Sequence, residues 1–219
     1  MAANWMRRTI MVAACASAAL LAACGSSTTE SAISPQRFIA FGDAMNDVGQ
    51  NGSRYTVNDG SVNNWTLQVV ANYGKSLTPV SAGGLSYATG NARVSAKPDA
   101  AGNASTRTVT EQIDAFLASG SFAATDVVMV SGGVSDVIAG MAAVNAGTLT
   151  QDAMVAAARK AGEDLAAQVR RLVTAGAKYV VVTGTYDLSK TPWAKAIGRE
   201  ALLSLSLIHI SEPTRQAEI

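Results

Sequence analysis

The sequence predicts an α/β fold, a three-layer α/β/α sandwich around a mainly parallel sheet. Three apolar runs carry that expectation, at residues 38–41, 127–130 and 179–182, each the length of a buried strand. Each run ends in small or turn-forming residues: Gly42-Asp43, Ser131-Gly132-Gly133 and Thr183-Gly184. Helical patterns lie between them, and strands alternating with helices favour parallel pairing with helices on both sheet faces.

The first strand is Phe38-Ile39-Ala40-Phe41. Residues 51–64, rich in Gly, Asn, Asp and Ser, read as a loop. Asn64 can cap a helix whose apolar stripe is Trp65, Val69 and Tyr73, stopped by Gly74. Residues 77–80 read as a short extra strand, and 97–106 as a polar surface loop. Thr108 and Glu111 have capping-box spacing, and Ile113, Phe116 and Leu117 give the next helix an apolar face up to Gly120. Asp126 leads into the second strand. Residues 150–175 form a long Ala-rich helix with Leu165, Val169, Leu172 and Val173 inward, Arg170 and Arg171 outward, and Gly176 at its end. After the third strand come a loop with Asp187 and Pro192 and a helix from Trp193 to about Leu203.

Three stretches at strand ends carry the chemistry. Phe41-Gly42-Asp43-Ala44-Met45-Asn46-Asp47-Val48-Gly49 resembles the first block of the GDSL (SGNH) esterase and lipase family, Phe-Gly-Asp-Ser-Leu-x-Asp-x-Gly. Gly42, Asp43, Asp47 and Gly49 match, and Ala44 stands at the position of the nucleophilic serine. Residues 83–93 resemble the second block, with Gly90 at the glycine whose N–H helps to form the oxyanion hole. Residues 131–136 resemble the third, Gly-x-Asn-Asp. Gly133 and Asp136 match, and Ser135 replaces the asparagine that serves as an oxyanion donor. The likeness runs in family order from Arg37 to about Pro192.

The resemblance implies an SGNH-hydrolase-like, flavodoxin-like sandwich. It also implies an ester hydrolase with a serine nucleophile, a histidine base near the C-terminus and an aspartate shortly before it. Here Ala44 keeps the backbone N–H of the nucleophile position and lacks its hydroxyl, and Ser135 offers a hydroxyl of shorter reach than an amide. The Asp-x-x-His block is absent. Ser131 and Ser135 are the hydroxyls near the expected site, with no base evident beside either. Asp43, Asp47 and Asp136 read as turn and capping groups, and Asp187 is assigned no role.

Both ends read differently from the middle. Arg7 and Arg8, then an apolar Ala-rich run, then Leu21-Ala22-Ala23-Cys24-Gly25, resemble a bacterial lipoprotein signal peptide over residues 1–23. The resemblance implies acylation of Cys24, with residues 24–36 as a tether and a partial SGNH hydrolase-like domain at 37–204. It places the protein in the bacterial cell envelope, as an outer-membrane lipoprotein facing the periplasm or the exterior. Residues 205–215, LSLIHISEPTR, resemble the in-frame translation of a sequencing-transposon adaptor. Residues 205–219 are therefore expected to be a non-native tail, with the only histidine, His209, inside it and the natural sequence continuing past about Ser204.

With both ends set aside the formal charge falls from +1 to zero. No basic stripe points to nucleic acid. No Cys or His cluster points to a metal, no cofactor is implied, and the oligomeric state is not legible. Two functions follow. One is an envelope-anchored ester hydrolase, impaired as the sequence stands by Ala44 and the missing histidine block. The other is a non-catalytic lipoprotein that binds an acyl, carbohydrate or cell-wall ligand in the retained cleft. In either, the partners are that small molecule and, through lipid on Cys24, the membrane.

Overall fold

The computed structural model describes residues 33–56 and 61–211. The expected signal peptide, Cys24 and residues 24–32 of the tether lie outside the described residues, as do 212–219. No helix among the described residues is long and apolar enough to cross a membrane.

The architecture is α/β, with a three-stranded parallel sheet. Strands β1 (Phe38–Phe41), β2 (Val127–Ser131) and β3 (Tyr179–Thr183) lie in the order β1-β2-β3. Register decides which side chains share a face. Ile39, Val128 and Val180 are aligned, as are Phe41, Val130 and Val182, and these point to one side. Phe38, Val127 and Tyr179, with Ala40, Met129 and Val181, point to the other.

Among the described residues there are six α-helices: α1 (Trp65–Asn72), α2 (Val109–Ser119), α3 (Val134–Asn145), α4 (Gln151–Thr174), α5 (Pro192–Ile197) and α6 (Glu200–Ser206). Ile113 and Phe116 of α2, Val137 and Met141 of α3, and Leu165 and Leu172 of α4 join Ile39, Phe41, Val128 and Val130 in one buried cluster. Helix α2 begins in the expected capping box, with the Thr108 hydroxyl accepting from the Glu111 N–H and the Glu111 carboxylate accepting from the Thr108 N–H. Thr150 caps the 24-residue α4, and Arg171 near its end pairs with Asp114 of α2 at 2.5 Å.

The opposite face is covered unevenly. Tyr73, just past α1, packs its ring on Phe38 at 5.6 Å, and Met129 is fully buried. Farther along the same face Tyr179 and Val181 stay 39% and 42% exposed. The expectation of a buried third strand is thus corrected: among the described residues β3 is an edge strand, covered on one face.

Other expectations change too. Helix α1 buries Thr66 and Val70, while Trp65, Val69 and Tyr73 are half-buried, because the helix is held by polar contacts to the first block. Residues 77–80 form a single bridge, Pro79 to Ser86, followed by a 3₁₀ turn at Val80–Ala82. Pro192 opens α5 instead of sitting in a loop. The single helix expected after Trp193 is two, broken at Gly198, which takes a left-handed conformation at φ +62°.

The packing also runs past residue 204. A π-helical turn, Leu207–Ser211, continues α6 and lays Ile210, fully buried, against Gly133 and Gly162. An apolar segment covers an apolar groove whatever its origin.

Candidate functional site

Three chain segments meet at the carboxyl edge of the sheet. Gly42 to Gly49 leave β1, and residues 131–136 leave β2 into α3. Ser86 is bridged in parallel to Ala40, so residues 87–91 leave the same edge beside β1. Ala44, Gly90 and Ser135 follow these three exits.

The turn after β1 is fixed by groups buried beneath it. Gly42 has φ +139°, and a Cβ there would overlap the Ser131 Oγ. Its N–H donates to Gln112 Oε1 at 2.7 Å, and its carbonyl accepts from Gln112 Nε2 at 3.0 Å and from the Thr89 N–H at 3.0 Å. Gln112 is fully buried on α2. A side-chain amide thus pairs with the peptide that aims Ala44, as a neighbouring strand would. Sequence reasoning missed Gln112. Its signal was a polar residue beside Ile113 on an inward helix face.

Asp43 and Ser131 form a second tie. The Ser131 hydroxyl donates to Asp43 Oδ1 at 2.8 Å and accepts from the Asp43 N–H at 3.2 Å, and the Met45 N–H also donates to Oδ1 at 3.2 Å. Asp43 Oδ2 is buried with no partner among the described residues. Burial pushes the Asp43 carboxyl above the usual carboxylate range, against the opposing pull of the Ser131 hydroxyl and the Met45 N–H. Ser131 is itself fully buried, so it is a strut under the turn and not a substitute nucleophile.

Asp47 joins the first block to the second. Its Oδ1 accepts from the N–H groups of Gly49 and Gln50, each at 2.8 Å, and its Oδ2 accepts from the Gly90 N–H at 2.7 Å. The Gly90 N–H, an oxyanion-hole donor by the resemblance, thus serves a resident carboxylate in this structure. The reason for a glycine is also internal. The Tyr55 ring lies where a Gly90 Cβ would stand, and the Asn91 amide donates to the Tyr55 hydroxyl at 3.4 Å.

Ser135 lies in the first turn of α3 and is 3% exposed. Next to it Asp136 ties the third block to the second, accepting from Arg93 Nε at 3.2 Å and from the Val94 N–H at 3.0 Å. Burial raises the Asp136 carboxyl, partly offset by the Val94 N–H and Arg93. Tyr186, half exposed beyond β3, has a phenol raised by burial and by the Asp43 charge, which sets it near the same edge. Asp187 caps a 3₁₀ turn through the Ser189 N–H at 3.1 Å.

His209 lines a small apolar cavity with Val137, Met154, Ala158 and Leu202, on the side of α3, α4 and α6. Ala44, Gly90 and Ser135 are not among the lining residues of that cavity. Among the described residues no three His, Cys, Asp or Glu side chains gather as metal ligands. The arrangement holds a methyl group at position 44, a donor already engaged at position 90 and a buried hydroxyl at position 135. Of these three positions only 135 carries a side-chain heteroatom, and none carries a basic side chain.

No protein-family model matches this chain, and no curated protein matches it.

Proposed function

We propose that this chain is a GDSL/SGNH-type hydrolase scaffold, tethered to a bacterial envelope through Cys24, that does not hydrolyse esters as its sequence stands. One observation carries the reading. Three stretches resembling the family's blocks leave one sheet edge and are tied by Asp43–Ser131, Asp47–Gly90 and Asp136–Val94, yet position 44 carries only a methyl. A shared edge fits the family resemblance, since α/β proteins carry their sites at the carboxyl ends of strands. The missing hydroxyl argues against turnover: losing a nucleophile typically costs on the order of a millionfold in rate.

The second reading, a non-catalytic lipoprotein binding an acyl, carbohydrate or cell-wall ligand, is favoured by Gly90. With its N–H held by Asp47 and its Cα face covered by Tyr55, the donor set suits a static scaffold better than a developing oxyanion.

Short-chain nitrophenyl esters and a fluorophosphonate probe test both. The full chain is expected to give no hydrolysis above the buffer rate and no covalent adduct. Ala44→Ser is expected to stay inactive as well, because a hydroxyl without a base remains a weak nucleophile. An adduct on the unaltered chain, or turnover restored by Ala44→Ser alone, would overturn the non-catalytic reading.

A further inference from the structure

A cleft of about 330 Å³ opens on the outer side of β1, between the turn at Gln50, the 3₁₀ turn at Val80–Ala82, Tyr87 and the loop ending at Arg107. Its size falls in the range of roughly 300–1,000 Å³ common for small-molecule sites. Ala44, Gly90 and Ser135 are not among its lining residues. What the lining has left to offer a ligand defines the ligand.

Apart from Tyr87, whose hydroxyl has no hydrogen-bond partner among the described residues, the hydroxyl hydrogens of the wall are engaged internally. Ser81 donates to the Gln50 carbonyl at 3.0 Å, Ser105 to Asn103 Oδ1 at 2.8 Å and Thr106 to Asp99 Oδ2 at 2.6 Å. Each of these hydroxyls therefore presents lone pairs, which accept. Among the described residues, the unengaged donors of the lining include the Arg107 guanidinium, which has no carboxylate partner, the N–H₂ groups of Asn51 and Asn103, and the Tyr87 hydroxyl. No Asp or Glu lines the cleft. Asp99 lies beneath the loop with its oxygens taken by the Ala101 and Asn103 N–H groups and Thr106, so the wall is built before any ligand arrives.

We propose that this cleft binds a small hydroxylated organic anion, its charged end on Arg107 and its hydroxyls donating to Ser81, Ser105 and Thr106. A guanidinium fork takes a carboxylate or a phosphate in two parallel hydrogen bonds, so the class covers sugar acids and sugar phosphates. The proposal does not rest on the ester-hydrolase scaffold reading, and it stands or falls without Ala44.

Isothermal titration of the full chain with glucuronate, glucose 6-phosphate, glucose and inorganic phosphate tests it. At least one of the two hydroxylated anions is expected to bind saturably, with glucose and inorganic phosphate each at least about tenfold weaker, as loss of a charge-assisted hydrogen bond implies. Arg107→Ala should weaken that binding at least about tenfold without lowering the melting temperature. If Arg107→Ala does not fold, Arg107→Gln, of similar length and no charge, is expected to show the same loss. Saturable binding of neither hydroxylated anion overturns the proposal, as does equal affinity for glucose or for inorganic phosphate. Undiminished affinity in the folded Arg107 variant does so too.

Discussion

At the scale of single residues, the candidate site is a set of buried polar ties whose partners lie far apart in the chain. Gln112 is the most exacting. Removing its amide leaves the Gly42 N–H buried and unpaired, a loss of about 1–3 kcal/mol before the cavity is counted. Gln112→Ala is therefore expected to lower unfolding stability by about 3 kcal/mol in urea melts, and a loss below about 1 kcal/mol would show the pairing to be dispensable. Asp43 sets a pH dependence. Its folded carboxyl is raised by burial, so the native state holds that proton more tightly than the unfolded chain does. The stability it contributes is complete below the ordinary carboxylate range and is lost as pH rises through the raised value. Asp136 acts in the same sense. At Asp126 burial raises the carboxyl, but the Arg37 and Ala123 hydrogen bonds outweigh it, so the net shift is downward and the pH dependence opposite. Asp43→Asn removes one titration. The denaturant midpoint of the unaltered chain should fall relative to this variant as pH rises from the ordinary carboxylate range upward, and a constant difference would rule Asp43 out as the source.

Among elements, period and capping made most of the fold legible. The apolar runs at 38–41 and 127–130, the capping box at Thr108 and Glu111, and the long Ala-rich helix expected over 150–175 appear because their causes are local. Helix α3 was missed because Ala and Gly blur its stripe, leaving Val134, Val137 and Met141 as the inward contacts. The exposure of β3 was hidden for a different reason. Tyr-Val-Val-Val has the composition of a central strand, and nothing inside those residues records whether a helix covers them. The site was legible only in part. Ala44, Gly90 and Ser135 could be placed by resemblance, while the Gly90–Asp47 and Gly42–Gln112 bonds span 43 and 70 residues and have no local signature. The two sheet faces give a direct contrast. Val181→Thr, 42% exposed, is expected to change stability by less than about 0.5 kcal/mol. Val128→Thr, fully buried in the core cluster, should cost about 2 kcal/mol or more, because its hydroxyl enters apolar surroundings. Equal effects at both positions would mean that the exposed face of β3 is covered in solution.

For the whole molecule, the question is what closes the core beyond α4. The described chain does this with Leu203 and Ile210, both fully buried, and with the backbone of His209 and Ile210 pressed on Gly162. Gly133 and Gly162 together leave a groove with no side chain of its own, and Ile210 fills it. A buried isoleucine cut to alanine typically costs about 2–5 kcal/mol, part from lost transfer energy and part from the cavity left behind. Ile210→Ala is accordingly expected to destabilise the chain by about 3 kcal/mol, in the upper half of that range only if the groove cannot collapse. Ending the chain after Ser204 removes the same plug and opens apolar surface over α3 and α4, which should appear as increased binding of a hydrophobic dye alongside a lower melting temperature. The two variants separate two roles of the segment. If Ile210→Ala is as stable as the parent while the shortened chain is not, residues 205–211 act through their backbone contacts with Gly162, and the side chain at 210 is replaceable. If both melt with the parent, the groove is closed by its own walls, and the domain needs nothing beyond residue 204.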